Sequence, residues 1–260
     1  MPLTLPDSVL QRLKQAKRVV ALTGGGMAAA SKVPSFREAH TGEWAQYDVS
    51  ELATVQAYLR NPRMVWEWYE HRRRTAEAAE PNAAHYALVD LEQHYPTFTL
   101  ITQTIDGLHW RAGSRDLIEL NGCLRRSRCY EAGHIISAWE DVGESPPRCP
   151  HCGSMLRPGV VMFGEGLPEW ELRAARAAVE QCDVFVCVGD VGAIEPVSSF
   201  PFAAKRVGAL LLSIDAENSI YTLLADHVIE QPLSEALPEL VRLVVGEIGE
   251  LDAAAFPIEP

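Results

Sequence analysis

The sequence predicts an α/β fold, a parallel sheet covered by helices on both faces, and three observations carry that expectation. Short continuous apolar runs rich in β-branched residues alternate with helical patterns along most of the chain. The first such run, RVVALT (18–23), stops at three glycines and an alanine-rich stretch, which is how α/β folds open a nucleotide-binding turn. The length, 260 residues, holds one large core, or a core with a small inserted module.

Taken in order, Val9, Leu10, Leu13 and Ala16 recur at helical spacing within 6–17, with Asp7 near the start. The RVVALT strand follows, closed by Gly24, Gly25 and Gly26. Helices are expected over 50–60 and 61–79; Asn61-Pro62 gives the second an N-cap and a proline at its first position. A third helix covers 82–94. TFTLITQ (97–103) and DLIEL (116–120) read as strands. From 124 to 156 the pattern is irregular; the stretch holds Cys129, Cys149, Cys152 and Pro146-Pro147 and reads as a small module inserted in the main domain. Beyond it come a helix over 169–181, the strands DVFVCVG (183–189) and GALLLSID (208–215), and a last helix from Leu233 to about Ile248.

Composition excludes several classes. The formal net charge is −12, with 35 acidic residues against 23 basic, so a nucleic-acid-binding face is not expected. The first residues lack the apolar core of a secretory signal, and no apolar run is long enough to span a membrane. Six cysteines in a chain of this length do not make a disulfide framework, and a reducing cytoplasm is the expected compartment.

Three stretches together resemble one family. TGGGMAAASKVPSFR (23–37) resembles the sirtuin signature T-G-A-G-x-S-x-x-S-G-I-P-x-F-R. TQTIDGLHWRAG with IELNG (102–122) resembles T-Q-N-I-D-G-L-H-x-x-A-G and E-L-H-G, and LRPGVVMFGEGLP (156–168) resembles the sirtuin substrate segment. Weaker echoes lie in VGDVGAIEP, SIDAE and ADHVI, all in the family's order. The resemblance implies one catalytic domain over 1–260. Its Rossmann-like part would comprise 1–36, 81–122 and 155–260, with a helical module at 37–80 and a zinc-ribbon-like, Cys-containing module at 123–154.

The resemblance also implies NAD-consuming removal of an acyl group from a lysine in a protein or peptide, with a histidine taking a ribose proton. Gly24, Gly25, Gly26, Phe36, Arg37, Gln103, Ile105, Asp106, Gly189 and Asp190 match its cofactor positions. Val160, Val161, Phe163 and Gly164 match the peptide segment. Tyr69 and Arg72 match the Y-x-x-R of sirtuins that prefer succinyl, malonyl or glutaryl lysine. Three residues apart, they share a helix face, where a phenol and a guanidinium can converge on one carboxylate. Chains of this minimal size in the family are expected to be monomers.

Several matching positions carry different residues. Asn121 stands where the family has its histidine base, and a carboxamide cannot take a proton near neutral pH. Thr104 replaces the asparagine of T-Q-N-I-D-G, Ala28 the signature serine, Lys32 a glycine, Asp190 the middle of the G-T-S turn, and Asp215 an asparagine. His109 is the nearest imidazole in sequence to Asp106 and a candidate substitute base. Of two expected C-x-x-C pairs the first reads Cys129-Tyr130-Glu131-Ala132. Cys129, Cys149 and Cys152 are then three zinc ligands, with His134, or less favourably His151, as a fourth. One reading is a divergent sirtuin with weakened deacylation or a related ADP-ribose transfer. Another is a pseudoenzyme that binds NAD, ADP-ribose or an acylated partner, and a third is a sirtuin repurposed or redesigned for another ligand.

Overall fold

The computed structural model describes residues 3–34, 46–139, 143–192, 194–214 and 221–246. α1 (Asp7–Gln15) leads into β1 (Arg18–Thr23). Where one helix was expected over 50–60 there are two, α2 (Val49–Leu52) and α3 (Val55–Arg60). The break has a tertiary cause. The Ala53 carbonyl accepts the Phe163 N–H at 2.8 Å, and Thr54 leaves the helix to cap α3 by accepting the Ala57 N–H at 3.0 Å.

α4 (Pro62–Ala78) and α5 (Ala83–His94) begin at the asparagine caps Asn61 and Asn82, whose side chains accept the N–H groups of Met64 and Ala84. Then come β2 (Thr97–Thr102), the short α6 (Leu108–Ala112), β3 (Leu117–Glu119), β4 (Gly122–Cys129), β5 (Ile135–Ile136) and β6 (Leu156–Val160). The chain continues through α7 (Glu169–Val179), β7 (Val184–Val188), α8 (Phe200–Arg206), β8 (Leu210–Ile214), β9 (His227–Ile229) and α9 (Leu233–Val245).

Six strands form one sheet in the order β3-β2-β1-β7-β8-β9, every pairing parallel. Alternate strand residues feed two cores. Val19, Ala21, Phe98, Leu100, Val186 and Leu212 pack under α1, α5 and α9. Val20, Leu22, Ile101, Phe185, Cys187 and Leu211 pack under α7 and α8. Burial on both faces is why these strands are continuous apolar runs without alternation.

The stretch read as irregular contains a second sheet, antiparallel, in the order β5-β4-β6. Its pairing shifts register between Gly122 and Ser127, and β5 is two residues long, so no clean alternation reaches the sequence. A third core joins it to α2, α3 and α4 through Leu52, Tyr58, Trp68, Tyr69, Leu124, Val160 and Met162.

Candidate active-site cleft

From β1 the chain builds the sheet outward through β2 and β3, and from β7 it builds in the opposite direction through β8 and β9. The loops leaving β1 and β7 therefore diverge at the carboxyl ends of adjacent strands, which opens a crevice there. Both glycine turns meet at this point. Gly24 N–H donates to Val188 O (3.1 Å), Gly25 N–H to Asp190 O (2.7 Å), and Asp190 N–H to Gly25 O (2.9 Å).

A Cβ on Gly24 would lie 1.9 Å from the Asp190 carbonyl oxygen, and one on Gly189 would lie 2.3 Å from Gly25 O. Packing of turn against turn thus already demands glycine at 24 and 189. Gly26 is different: its φ is +88° and nothing lies within 4 Å of its Cβ position, so its side faces open space. The exposed Asp190 carboxylate accepts the Gly192 N–H at 2.9 Å and so braces its own turn. Lys32 has a φ of 60°, the left-handed region, which accounts physically for a glycine at the matching family position. Asn82 ties this loop to α5, its Nδ2 donating to Met27 O and Ser31 Oγ, both at 3.0 Å.

The segment after β2 forms the floor. Gln103 N–H donates to Thr23 O at 2.9 Å, and Ile105 O accepts the Leu124 N–H at 2.8 Å. Asp106 is buried and accepts the Leu108 N–H at 2.8 Å, and the nearby Thr104 side chain also favours its carboxylate. Burial pushes its carboxyl up from the ordinary value, against the pull of these donors and of the Arg72 guanidinium. His109 does not reach the cleft. It is 1% exposed and desolvation holds its imidazole well below the usual range, so it is no substitute base for a bound substrate.

Asn121 sits on the rim, half-buried, with Nδ2 donating to Gln103 O at 2.8 Å and its own carbonyl accepting the Val161 N–H at 2.9 Å. It therefore joins the floor to the 160–164 segment. That segment is bracketed by Phe163 N–H on Ala53 O. Val160 is buried, Val161 half-buried, and Phe163 and Gly164 are exposed.

A clamp that the sequence reading did not name holds the segment: Arg157 meets Glu165 in a two-pronged pair at 2.5 and 2.7 Å. Glu165 also accepts the Met162 N–H at 2.7 Å, and Arg157 donates to Val160 O at 3.1 Å. The only sequence signal was an Arg and a Glu eight apart, flanking the V-V-M-F-G run.

Tyr69 and Arg72 lie on one face of α4, Tyr69 buried and Arg72 half-buried, with Arg72 in electrostatic reach of Tyr69 and Asp106 and its guanidinium 5.2 Å from the Trp68 ring centre. Burial, only partly opposed by Arg72, pushes the Tyr69 phenol up to about 12. The pair thus stands beside the floor.

On the far side of β4, the ligand atoms of Cys129, His134, Cys149 and Cys152 all lie within 4.8 Å of one another. Cys129 Sγ and Cys152 Sγ are 3.4 Å apart, and Cys149 Sγ and His134 Nδ1 are 3.5 Å apart. Tetrahedral zinc, with Zn–S of about 2.3 Å and Zn–N of about 2.0–2.1 Å, has donor–donor edges of roughly 3.5–3.8 Å. The donor set fits that ion in type and spacing, and the Ala132 N–H on Cys129 Sγ favours a thiolate. The His151 ring lies against His134 at 5.1 Å, outside the set. Trp66 and Trp139 pack beside the cluster.

Phe36, Arg37 and Asp215 lie outside the described residues. Among the described residues no helix is long and apolar enough to cross a membrane.

Comparison with known proteins bears on the whole cleft. The Sir2 family model matches residues 24–196. An NAD-dependent protein deacylase of Ralstonia nicotianae is 44% identical over 230 residues, covering 88% of this chain and 93% of that protein. One from Aquifex aeolicus is 41% identical over 223 residues, covering 85% and 93%. Among solved structures, a Sir2 homologue in complex with NAD superposes with a TM-score of 0.86 at 38% identity, covering 93% of this chain and 94% of that one. A Sir2 variant with a deacetylated p53 peptide and 3'-O-acetyl ADP-ribose gives 0.79 at 26% identity, covering 90% and 96%.

Proposed function

The chain belongs to the Sir2 (sirtuin) family of NAD-dependent protein deacylases, and from that premise we propose that it binds NAD and an acyl-lysine peptide in the cleft and deacylates slowly. In this reading NAD runs over Gly24, Gly25 and Gly26, opposite Gly189 and Asp190, and Phe36 and Arg37 are further cofactor-binding residues by their match to the family signature. Its nicotinamide end meets Gln103, Ile105 and Asp106. The acyl-lysine peptide lies along Val160, Val161, Phe163 and Gly164, between the parallel-sheet part and the smaller helical (37–80) and cysteine-containing (123–154) modules.

The observation that carries the slow step is Asn121. Its carboxamide occupies the family's base position, holds the Gln103 carbonyl, and has no proton-accepting state near neutrality. Removing a general base costs about 10²–10⁴-fold in rate. Tyr69 and Arg72 suit an acyl group that ends in a carboxylate, since a desolvated guanidinium beside a phenol recovers energy on meeting an anion. Zinc, held by Cys129, His134, Cys149 and Cys152, would fasten β4 to the loop before β6 and take no part in the chemistry.

Calorimetric titration with NAD and ADP-ribose tests the cofactor reading, and micromolar binding is expected. Asn121→His is then assayed on succinyl-lysine and acetyl-lysine peptides. A gain of about 10²–10⁴-fold in NAD-dependent turnover, larger on the succinyl peptide, is expected. Absence of binding up to millimolar NAD refutes the reading, and binding without any gain leaves a binding module in place of an enzyme.

A further inference from the structure

The crevice between β1 and β7 carries a carboxylate whose place is fixed by its own backbone. Asp190 and Gly25 form a single antiparallel bridge and exchange both hydrogen bonds, Gly25 N–H on Asp190 O at 2.7 Å and Asp190 N–H on Gly25 O at 2.9 Å. Residues directly opposite in such a pair turn their side chains to the same face. A Cβ placed on Gly25 would accordingly lie 3.5 Å from the Asp190 Cβ. Gly25 has no side chain to fill that face, and both residues are exposed. The Asp190 carboxylate therefore stands over bare, open backbone at the carboxyl ends of the two strands.

Its orientation is held as well. Oδ1 accepts the Gly192 N–H at 2.9 Å, a turn closed by the side chain of its own first residue. Among the described residues no lysine or arginine forms an ion pair with Asp190, and Oδ2 has no partner. One oxygen is anchored and the other is presented, so little side-chain freedom is lost when a ligand meets it.

Strand order says which part of a dinucleotide that ligand group is. β1 lies between β2 and β7. With nicotinamide past the end of β2 and pyrophosphate on the glycine turn past β1, the adenosine ribose reaches the end of β7, one strand spacing of about 4.8 Å further on. An ionised carboxylate only accepts hydrogen bonds. The vicinal hydroxyls of a ribose are donors, and their bonds to a carboxylate are charge-assisted, about twice as strong as neutral ones. A phosphate ester on the same ribose brings acceptor oxygens and a charge of about −1.5 to −2, so it meets the carboxylate with repulsion.

We propose that Asp190 is the specificity-determining residue at the adenosine end of the cleft, accepting a free ribose diol and rejecting a phosphorylated one, a step that rests on the NAD-binding reading above. The charge belongs to this chain, since the G-T-S turn that it resembles has threonine at this position. Asp190 also repels the pyrophosphate of any dinucleotide. That cost is common to NAD and NADP, so the ratio of their affinities isolates the ribose.

Calorimetric titration with NAD, and with NADP, whose adenosine ribose carries a 2′-phosphate, reads this ratio directly. Wild type is expected to bind NAD at least about 30-fold more tightly than NADP. Asp190→Asn and Asp190→Ser both remove the charge and keep an oxygen for the Gly192 N–H, and each should cut the ratio at least about tenfold. A wild type that binds NAD and NADP alike, or a ratio that stays within about threefold of wild type in both variants, overturns the role of Asp190 and leaves the NAD reading standing. A wild type that binds neither nucleotide overturns the NAD reading itself, and this inference with it.

Discussion

His85 should make the protein lose stability between pH 7.5 and 5, well before its carboxylates titrate. The side chain is buried at the first turn of α5, where its Nδ1 accepts the Asn82 N–H at 3.2 Å, and desolvation lowers its pKa from 6.5 to about 4. The unfolded chain binds a proton through the 6.5 region while the native state does not. Stability is therefore full above about pH 6.5 and falls as pH drops toward 4. At pH 5 the unfolded imidazole is almost fully protonated and the native one is not, which costs about 2 kcal/mol. His109, held lower still by desolvation and by His85, adds a contribution of the same sign.

The assay is urea unfolding at pH 7.5 and 5, for wild type and for His85→Gln. Gln is accepted as the third helical residue of a capping box, so the Asn82 cap is kept without a titrating group. The wild-type loss should exceed the variant's by about 2 kcal/mol. Parallel losses in the two proteins would mean that His85 titrates normally in the fold, and the desolvation argument would fail.

Two further outcomes concern the rest of the cleft. Arg157→Met removes one partner of a pair in which Arg157 is 8% and Glu165 26% exposed. Destabilisation by about 2–4 kcal/mol is expected in chemical denaturation, somewhat below a fully buried pair, together with a raised peptide KM. Burial alone would raise the Glu165 carboxyl, but Arg157 and the Met162 N–H hold it below 4.5. Its contribution is thus present above that pH and lost on further acidification, a loss that Arg157→Met should remove. For the metal cluster, metal analysis of purified protein should return one zinc per chain. His134→Ala should weaken retention against a chelator and lower the Tm, whereas His151→Ala should do neither.

Much of this molecule was legible along the chain. The strands were readable because a parallel sheet buried on both faces needs continuous apolar runs, as in Val184–Val188 and Leu210–Ile214. The caps Asn61 and Asn82 were readable because helix starts are solved locally. Cys149-x-x-Cys152 marked the metal cluster for the same reason. What stayed hidden depends on partners far away in sequence. The α2–α3 break answers to Phe163, and the antiparallel sheet to a register shift between β4 and β6.

The amino-acid sequence by itself determined the fold class and the order of the motifs, because each is a property of the chain read residue by residue. Only the tertiary structure decided what those residues do to one another. Gly24 is glycine because a turn 166 residues away packs against it, as Gly24 and Asp190 meet backbone to backbone. His109 was a candidate base on paper and is sealed in the core, its Nε2 3.0 Å from the Thr23 hydroxyl, which in turn meets the Thr102 hydroxyl at 2.8 Å. Such relations exist only once parallel pairing has set Thr23 beside Thr102, and no local pattern encodes that register.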